Sequence, residues 1–216
     1  MCLTPRRLFL SLLVACCLSF SATVMADPIT IFSTGVDANG NALASGSTDP
    51  HYTIISGPLG STSVVTPIIQ PAVWTTISGA QWLTISPNAH TGIPAGDHIY
   101  RTTFDLAGFD PTTAILVGTL AADNSVKVLL NGQETGIFFP DFTQALSFSI
   151  TKGFVSGINT LDFVVHNVSG PHGLVVKIQG VAAAGGHVSD TPEPATLVLF
   201  GTGLAALAFR KRRQNT

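Results

Sequence analysis

A chain of 216 residues holds one medium domain or two small ones. Only 10% of it is charged, against a usual share of about 25%, and the scarcity of Glu, Lys and Arg excludes a coiled coil. Six of the ten basic residues stand at the two ends, leaving Arg101, Lys127, Lys152 and Lys177 between, which argues against a nucleic-acid binder.

Residues 1–26 are predicted to be a secretory signal peptide. Arg6 and Arg7 form its positive start, Leu8 to Phe20 its apolar stretch, and Val24-Met25-Ala26 the positions a signal peptidase reads, with cleavage between Ala26 and Asp27. The apolar stretch is shorter than the roughly 20 residues of a membrane span. An alternative is the lipobox-like Leu13-Val14-Ala15-Cys16, which would end in lipidation at Cys16. Against it, the apolar run continues through Cys17, Leu18 and Phe20. Cys2, Cys16 and Cys17 are the only cysteines, so cleavage after Ala26 leaves a product with no disulfide, thiolate nucleophile or cysteine metal site. Between Asp27 and Thr191, eleven acidic residues face four basic ones, a net charge of −7. That acidity disfavours binding to phosphate backbones or anionic lipid.

Further along, Asp37-Ala38-Asn39-Gly40-Asn41 sets Asp37, Asn39 and Asn41 at alternate positions, as the ligands of a structural calcium are set. Position twelve of an EF-hand would be Thr48, and an Asx turn has the same local sequence without metal. No other cofactor is expected. Trp74 and Trp82 flank the turn Ser78-Gly79-Ala80. Each can stack on the C–H face of a sugar or fill a core, and Tyr52 and Tyr100 carry the same two readings, Tyr100 alternating with core residues. The histidines are scattered and form no paired metal motif, and no Gly-x-Ser-x-Gly elbow occurs. Two carboxylates brought together by the fold would be enough for acid/base chemistry.

From Ile99 onward the hydrophobic period is two. Tyr100, Phe104 and Leu106 share a face with Thr102; Val126, Val128 and Leu130 form another such set, as do Leu146, Phe148 and Ile150, then Leu161, Phe163 and Val165, then Leu174, Val176 and Ile178. Turns are expected at Ala121-Ala122-Asp123-Asn124, Asn131-Gly132, Ser156-Gly157 and Ser169-Gly170-Pro171, with Asn131-Gly132 the strongest hairpin signal. About eight short strands with little helix predict an all-β fold, an antiparallel β-sandwich of jelly-roll type over 27–181. A small-residue spacer follows at 182–191.

Two resemblances add to this. Trp82 to Pro87, Gly96 to Leu106, Ala122-Asp123-Asn124, Val128 to Gly132 and Gly157-Ile158-Asn159-Thr160-Leu161-Asp162, in that order, resemble the galactose-binding-like sandwich of carbohydrate-binding modules. The resemblance supports the fold more than a ligand. At the C-terminus, Pro192-Glu193-Pro194 precedes an uncharged apolar stretch, 195–209, which reads as a transmembrane helix, and then the basic tail Arg210, Lys211, Arg212, Arg213. The order of these three features over 192–213 resembles the PEP-CTERM sorting signal of Gram-negative bacteria. It implies an exosortase as partner, an inner-membrane-anchored precursor with its tail in the cytoplasm, and a surface or extracellular destination. Prolines at the membrane surface hold the tripeptide extended, open to a processing enzyme.

The expectation is therefore an exported, non-catalytic surface or matrix protein associated with biofilm or exopolysaccharide. The alternatives are a carbohydrate-binding module acting on extracellular glycan through Trp74 or Trp82, and a small extracellular hydrolase.

Overall fold

The computed structural model describes residues 26–185. The signal segment before Ala26, the sorting residues Pro192, Glu193, Pro194, Arg210, Lys211, Arg212 and Arg213, and the stretch 195–209 lie outside the described residues. Among those described, no helix is long and apolar enough to cross a membrane.

The chain forms ten strands: β1 (Ala26–Ile29), β2 (Thr48–Ser56), β3 (Thr62–Val65), β4 (Gly96–Asp105), β5 (Ile115–Asp123), β6 (Ser125–Leu130), β7 (Gln133–Phe139), β8 (Leu146–Ile150), β9 (Ile158–Asn167) and β10 (Gly173–Ala183). One 3-10 turn, Pro111–Thr113, is capped by the Asp110 side chain. The strands build two antiparallel sheets, one in the order β1-β10-β5-β8 and the other β3-β2-β4-β9-β6-β7. After β4 the chain passes repeatedly from one sheet to the other, the winding of a jelly roll. The sandwich expected from the period-two pattern is the observed fold.

Alternation explains the core. In β4, His98, Tyr100, Thr102 and Phe104 point inward, and in β6 Val126, Val128 and Leu130 do. These meet Leu116, Leu120, Leu174, Val176 and Ile178 from the four-stranded sheet. Each such side chain contributes about 1.5–3 kcal/mol on full burial. With no cysteine among the described residues, that packing is what holds the layers together.

One local expectation is corrected. Ala121, Ala122 and Asp123, expected in a turn, are the buried end of β5, and Asn124 alone carries the chain across to β6 in the opposite sheet. Two small alanines in a row gave no alternating signal, although both fit beneath packed side chains. Strand β10 runs on to Ala183. There Asp110 N donates to Ala183 O and Ala183 N to Thr113 Oγ1, both at 2.9 Å. The first and last strands pair, with Ala26 opposite Ala183.

Between β3 and β4 runs a strap, residues 66–95, that contains no regular strand. A connection of this length is uncommon and is usually functional or disordered. This one has its own small core: Trp74, Ile77, Trp82 and Ala89 pack on Ala121 and Val175, on the outer side of the four-stranded sheet.

Candidate ligand-binding face

The register of the six-stranded sheet sorts its outward side chains into rows. Thr53, Arg101, Asp162, Leu129 and Glu134 lie across β2, β4, β9, β6 and β7. Ile99, Val164, Lys127 and Phe138 form the next row, and Asp97, His166 and Ser125 a third. The three ion pairs among the described residues all stand on this face. Arg101 grips Asp162 through two bonds, Nε to Oδ1 at 2.6 Å and Nη2 to Oδ2 at 2.7 Å. Lys127 Nζ lies 3.2 Å from Glu134 Oε1, and His166 Nδ1 2.7 Å from Asp97 Oδ1. The bonds to Asp162 hold the Arg101 guanidinium more firmly protonated than usual, against a smaller effect of burial.

Phe138 is the aromatic side chain this face offers to solvent, at 61% exposure. Its neighbours Ile137 and Phe139 turn into the core, so Phe138 must turn out. Lys127 is its cross-strand partner on β6. An exposed ring flanked by a lysine stem, with a glutamate on the same strand, can pack an apolar sugar face while its neighbours reach hydroxyls.

The β6–β7 hairpin turns through Asn131 (φ 51°) and Gly132 (φ 76°), both in the left-handed region that a tight hairpin demands. Asn131 Nδ2 donates to Gly153 O and Asn159 Oδ1, and its Oδ1 accepts from Thr160 N. Beside this hairpin lies a groove of about 250 Å³ lined by Gln133, Glu134, Thr135, Thr151 and Lys152. A second, of about 360 Å³, crosses the outer side of the four-stranded sheet between Val117, Thr119, Ser147, Lys177 and Gln179. Lys152 and Lys177, which make no ion pair among the described residues, line one groove each.

The residues singled out from sequence fall elsewhere. Trp74 and Trp82 are 4% and 3% exposed and stack on each other, with ring centroids 4.1 Å apart. Trp74 Nε1 donates to Asp123 Oδ2 at 2.9 Å and Trp82 Nε1 to Thr75 O at 2.7 Å. Neither ring presents a face to solvent. Tyr52 and Tyr100 are fully buried. Asp37 Oδ1 accepts from the backbone N–H groups of Asn41 and Asn39, which hold its carboxyl below the ordinary range, and Asn41 Nδ2 donates to Oδ2. The segment closes on itself as an Asx turn. Among the described residues no group of three or more His, Cys, Asp or Glu side chains is placed to hold a metal ion. Ala26 and Asp27 lie in β1, exposed and paired with Ala183 and Ala182. Phe138 went unnoticed in the sequence, although alternation through Ile137-Phe138-Phe139 was the signal that could have found it.

The chain carries a PEP-CTERM protein-sorting motif, matched over residues 190–213. Nothing among curated protein sequences matches it. Its fold is weakly similar to that of solved carbohydrate-binding β-sandwich domains. One is a family 35 carbohydrate binding module from an environmental isolate, at 13% identity and TM-score 0.36, over 62% of this chain and 98% of that one. A second is the CBM36-1 domain of a multidomain xylanase from the hindgut metagenome of Trinervitermes trinervoides, at 14% and 0.31, over 66% and 94%. A third is CBM35 from Paenibacillus barcinonensis, at 18% and 0.31, over 62% and 98%.

Proposed function

We propose that this chain is an exported, non-catalytic surface protein, freed of its signal by signal peptidase and cut from the inner membrane by an exosortase at Pro192-Glu193-Pro194. Its sandwich then associates with the extracellular polysaccharide or biofilm matrix through the outer face of the six-stranded sheet. The observation that carries this reading is the sorting motif at 190–213, close behind a sandwich whose last strand ends at Ala183. Phe138, with Lys127 opposite it and Glu134 on the same strand, supports the glycan contact, because it joins an exposed ring to polar groups of the same face.

Two experiments test the two halves. Alanines at Pro192, Glu193 and Pro194 are expected to leave full-length protein in the membrane fraction, and normal processing would refute the sorting half. Phe138→Ala is expected to weaken retention on the producing cell's own exopolysaccharide about tenfold, the equivalent of about 1.4 kcal/mol. Unchanged retention would refute the glycan half. Folding should be unaffected, since exposed substitutions usually fall within about 0.5 kcal/mol.

A further inference from the structure

The described residues contain four buried side-chain polar atoms without a hydrogen-bond partner, and three of them fall in one place: His98 Nδ1, His172 Nε2 and Asn167 Oδ1. Each of these side chains is anchored through its other polar atom. His98 Nε2 donates to Pro94 O at 3.1 Å, and Asn167 Nδ2 donates to that same carbonyl and to Ile93 O. His172 Nδ1 lies 3.2 Å from the Tyr100 hydroxyl, which also donates to Leu83 O at 3.4 Å. The two imidazoles are packed with centroids 4.3 Å apart. His98, His172 and Asn167 are at most 1% exposed.

The partners of these groups belong to the strap. Leu83, Ile93 and Pro94 are strap residues, and Leu83 exchanges two backbone bonds with Leu174, two positions after His172. Gly173, between them, packs against Trp74. The histidine cluster therefore sits where the strap is fastened to the sandwich; Leu83 joins the main core, whereas the two tryptophans belong to a separate one. Segments with a small core of their own are the ones that open while the rest stays folded.

We propose that the His98–His172 pair is an acid-sensitive latch, releasing the strap and its two tryptophans from the sheet on acidification while the sandwich stays folded. A proton added at His172 Nε2 finds no acceptor and lies against a second imidazole, whereas an opened strap lets water receive it. Burial first, and the neighbouring His98 second, lower the His172 pKa from 6.5 to about 3 in the closed form. A histidine depressed in the closed form keeps the latch fastened above pH ~6.5 and weakens it as pH falls towards 3. From this one group the open-to-closed ratio rises about 100-fold between pH 7.5 and 4.5.

The other titratable neighbours do not supply this trend. Tyr100 stays neutral, its pKa raised by burial. Asp123, reached through Trp74 from β5, has its pKa raised by burial, which favours the closed form on acidification and so opposes the latch. Asp97 points to the opposite face and pairs with His166. The strap's only titratable side chain, His90, is exposed, and the β2–β3 turn beside His98 contributes only Gly57.

Tryptophan fluorescence tests this directly, because Trp74 and Trp82 are the only two in the chain. For the full chain in neutral detergent, emission should shift reversibly to the red between pH 6 and 4. Amide exchange over 66–95 should speed up there while β4, β9 and β10 stay protected. His172→Gln should move the transition to lower pH, whereas Asp123→Asn should not. Emission constant down to pH 4, or strap and strands losing protection at one pH, would overturn the latch. So would a transition abolished by Asp123→Asn. If His172→Gln fails to fold, the exchange pattern of the unaltered chain decides alone.

Discussion

Trp74→Phe offers a sharp test of how the strap is held. Asp123 is 5% exposed, and the indole N–H, at 2.9 Å, is the donor that meets its Oδ2. Burial raises the Asp123 pKa, and this bond works against the rise. Phenylalanine keeps an aromatic ring on Trp82 but leaves the buried carboxylate without its donor, at a cost of about 1–3 kcal/mol. The smaller ring adds about 1–2 kcal/mol of lost packing. Only the first part depends on the protonation of Asp123. Without the bond the Asp123 carboxyl titrates higher, so that part is complete at pH 7.5 and shrinks towards pH 5 as the carboxyl takes up its proton. Urea denaturation at the two pH values, followed by Trp82 emission, measures both parts relative to the unaltered chain. Trp74→Phe combined with Asp123→Asn should keep only the packing cost at pH 7.5, and its own change between the two pH values gives the part due to strap opening, to be subtracted from that of Trp74→Phe. An equal loss from Trp74→Phe at pH 7.5 and pH 5, with no relief from Asp123→Asn, would refute the reasoning.

Two further substitutions probe the sandwich. At Gly118 a Cβ would press on the Lys177 carbonyl of the neighbouring strand and lie 2.7 Å from Phe148 Cζ, so Gly118→Ala should cost about 1–3 kcal/mol, read as a lower urea midpoint at unchanged slope. Asn159, fully buried, bonds Val155 N, Val155 O, Gly157 O and Asn131 Nδ2. Asn159→Ala should cost about 3 kcal/mol and loosen residues 151–157, visible as faster amide exchange there than in β4.

What the sequence revealed follows from where alternation is strict. The inward sets of β4, β6, β8, β9 and β10 and the Asn131-Gly132 hairpin could be read directly, because polar residues such as Arg101, Lys127, Asp162 and Lys177 interrupt the opposite face of these strands. Strand β5 was obscured because its buried end, Ala121 to Asp123, is covered on both faces, by the core on one side and by the strap tryptophans on the other. For the same reason the tryptophans looked like ligand platforms: nothing local distinguishes a ring that waits for a sugar from one that lies on a sheet. Likewise, no spacing rule joins His98 to His172, which only the β9–β10 turn and the strap bring together. The sorting signal was legible because its three parts follow one another in the chain and need no fold to be recognised.

Pairing of the first strand with the last has a practical consequence. Both chain ends leave the same pole of the sandwich, and Leu174, under the strap, stands about 30 Å back along β10 at the other. A reporter fused ahead of Asp27 would stand at the pole where β10 ends at Ala183. Grafted into the loop at Ser169-Gly170-Pro171, the same cargo would ride at the opposite pole, away from both of those strand ends.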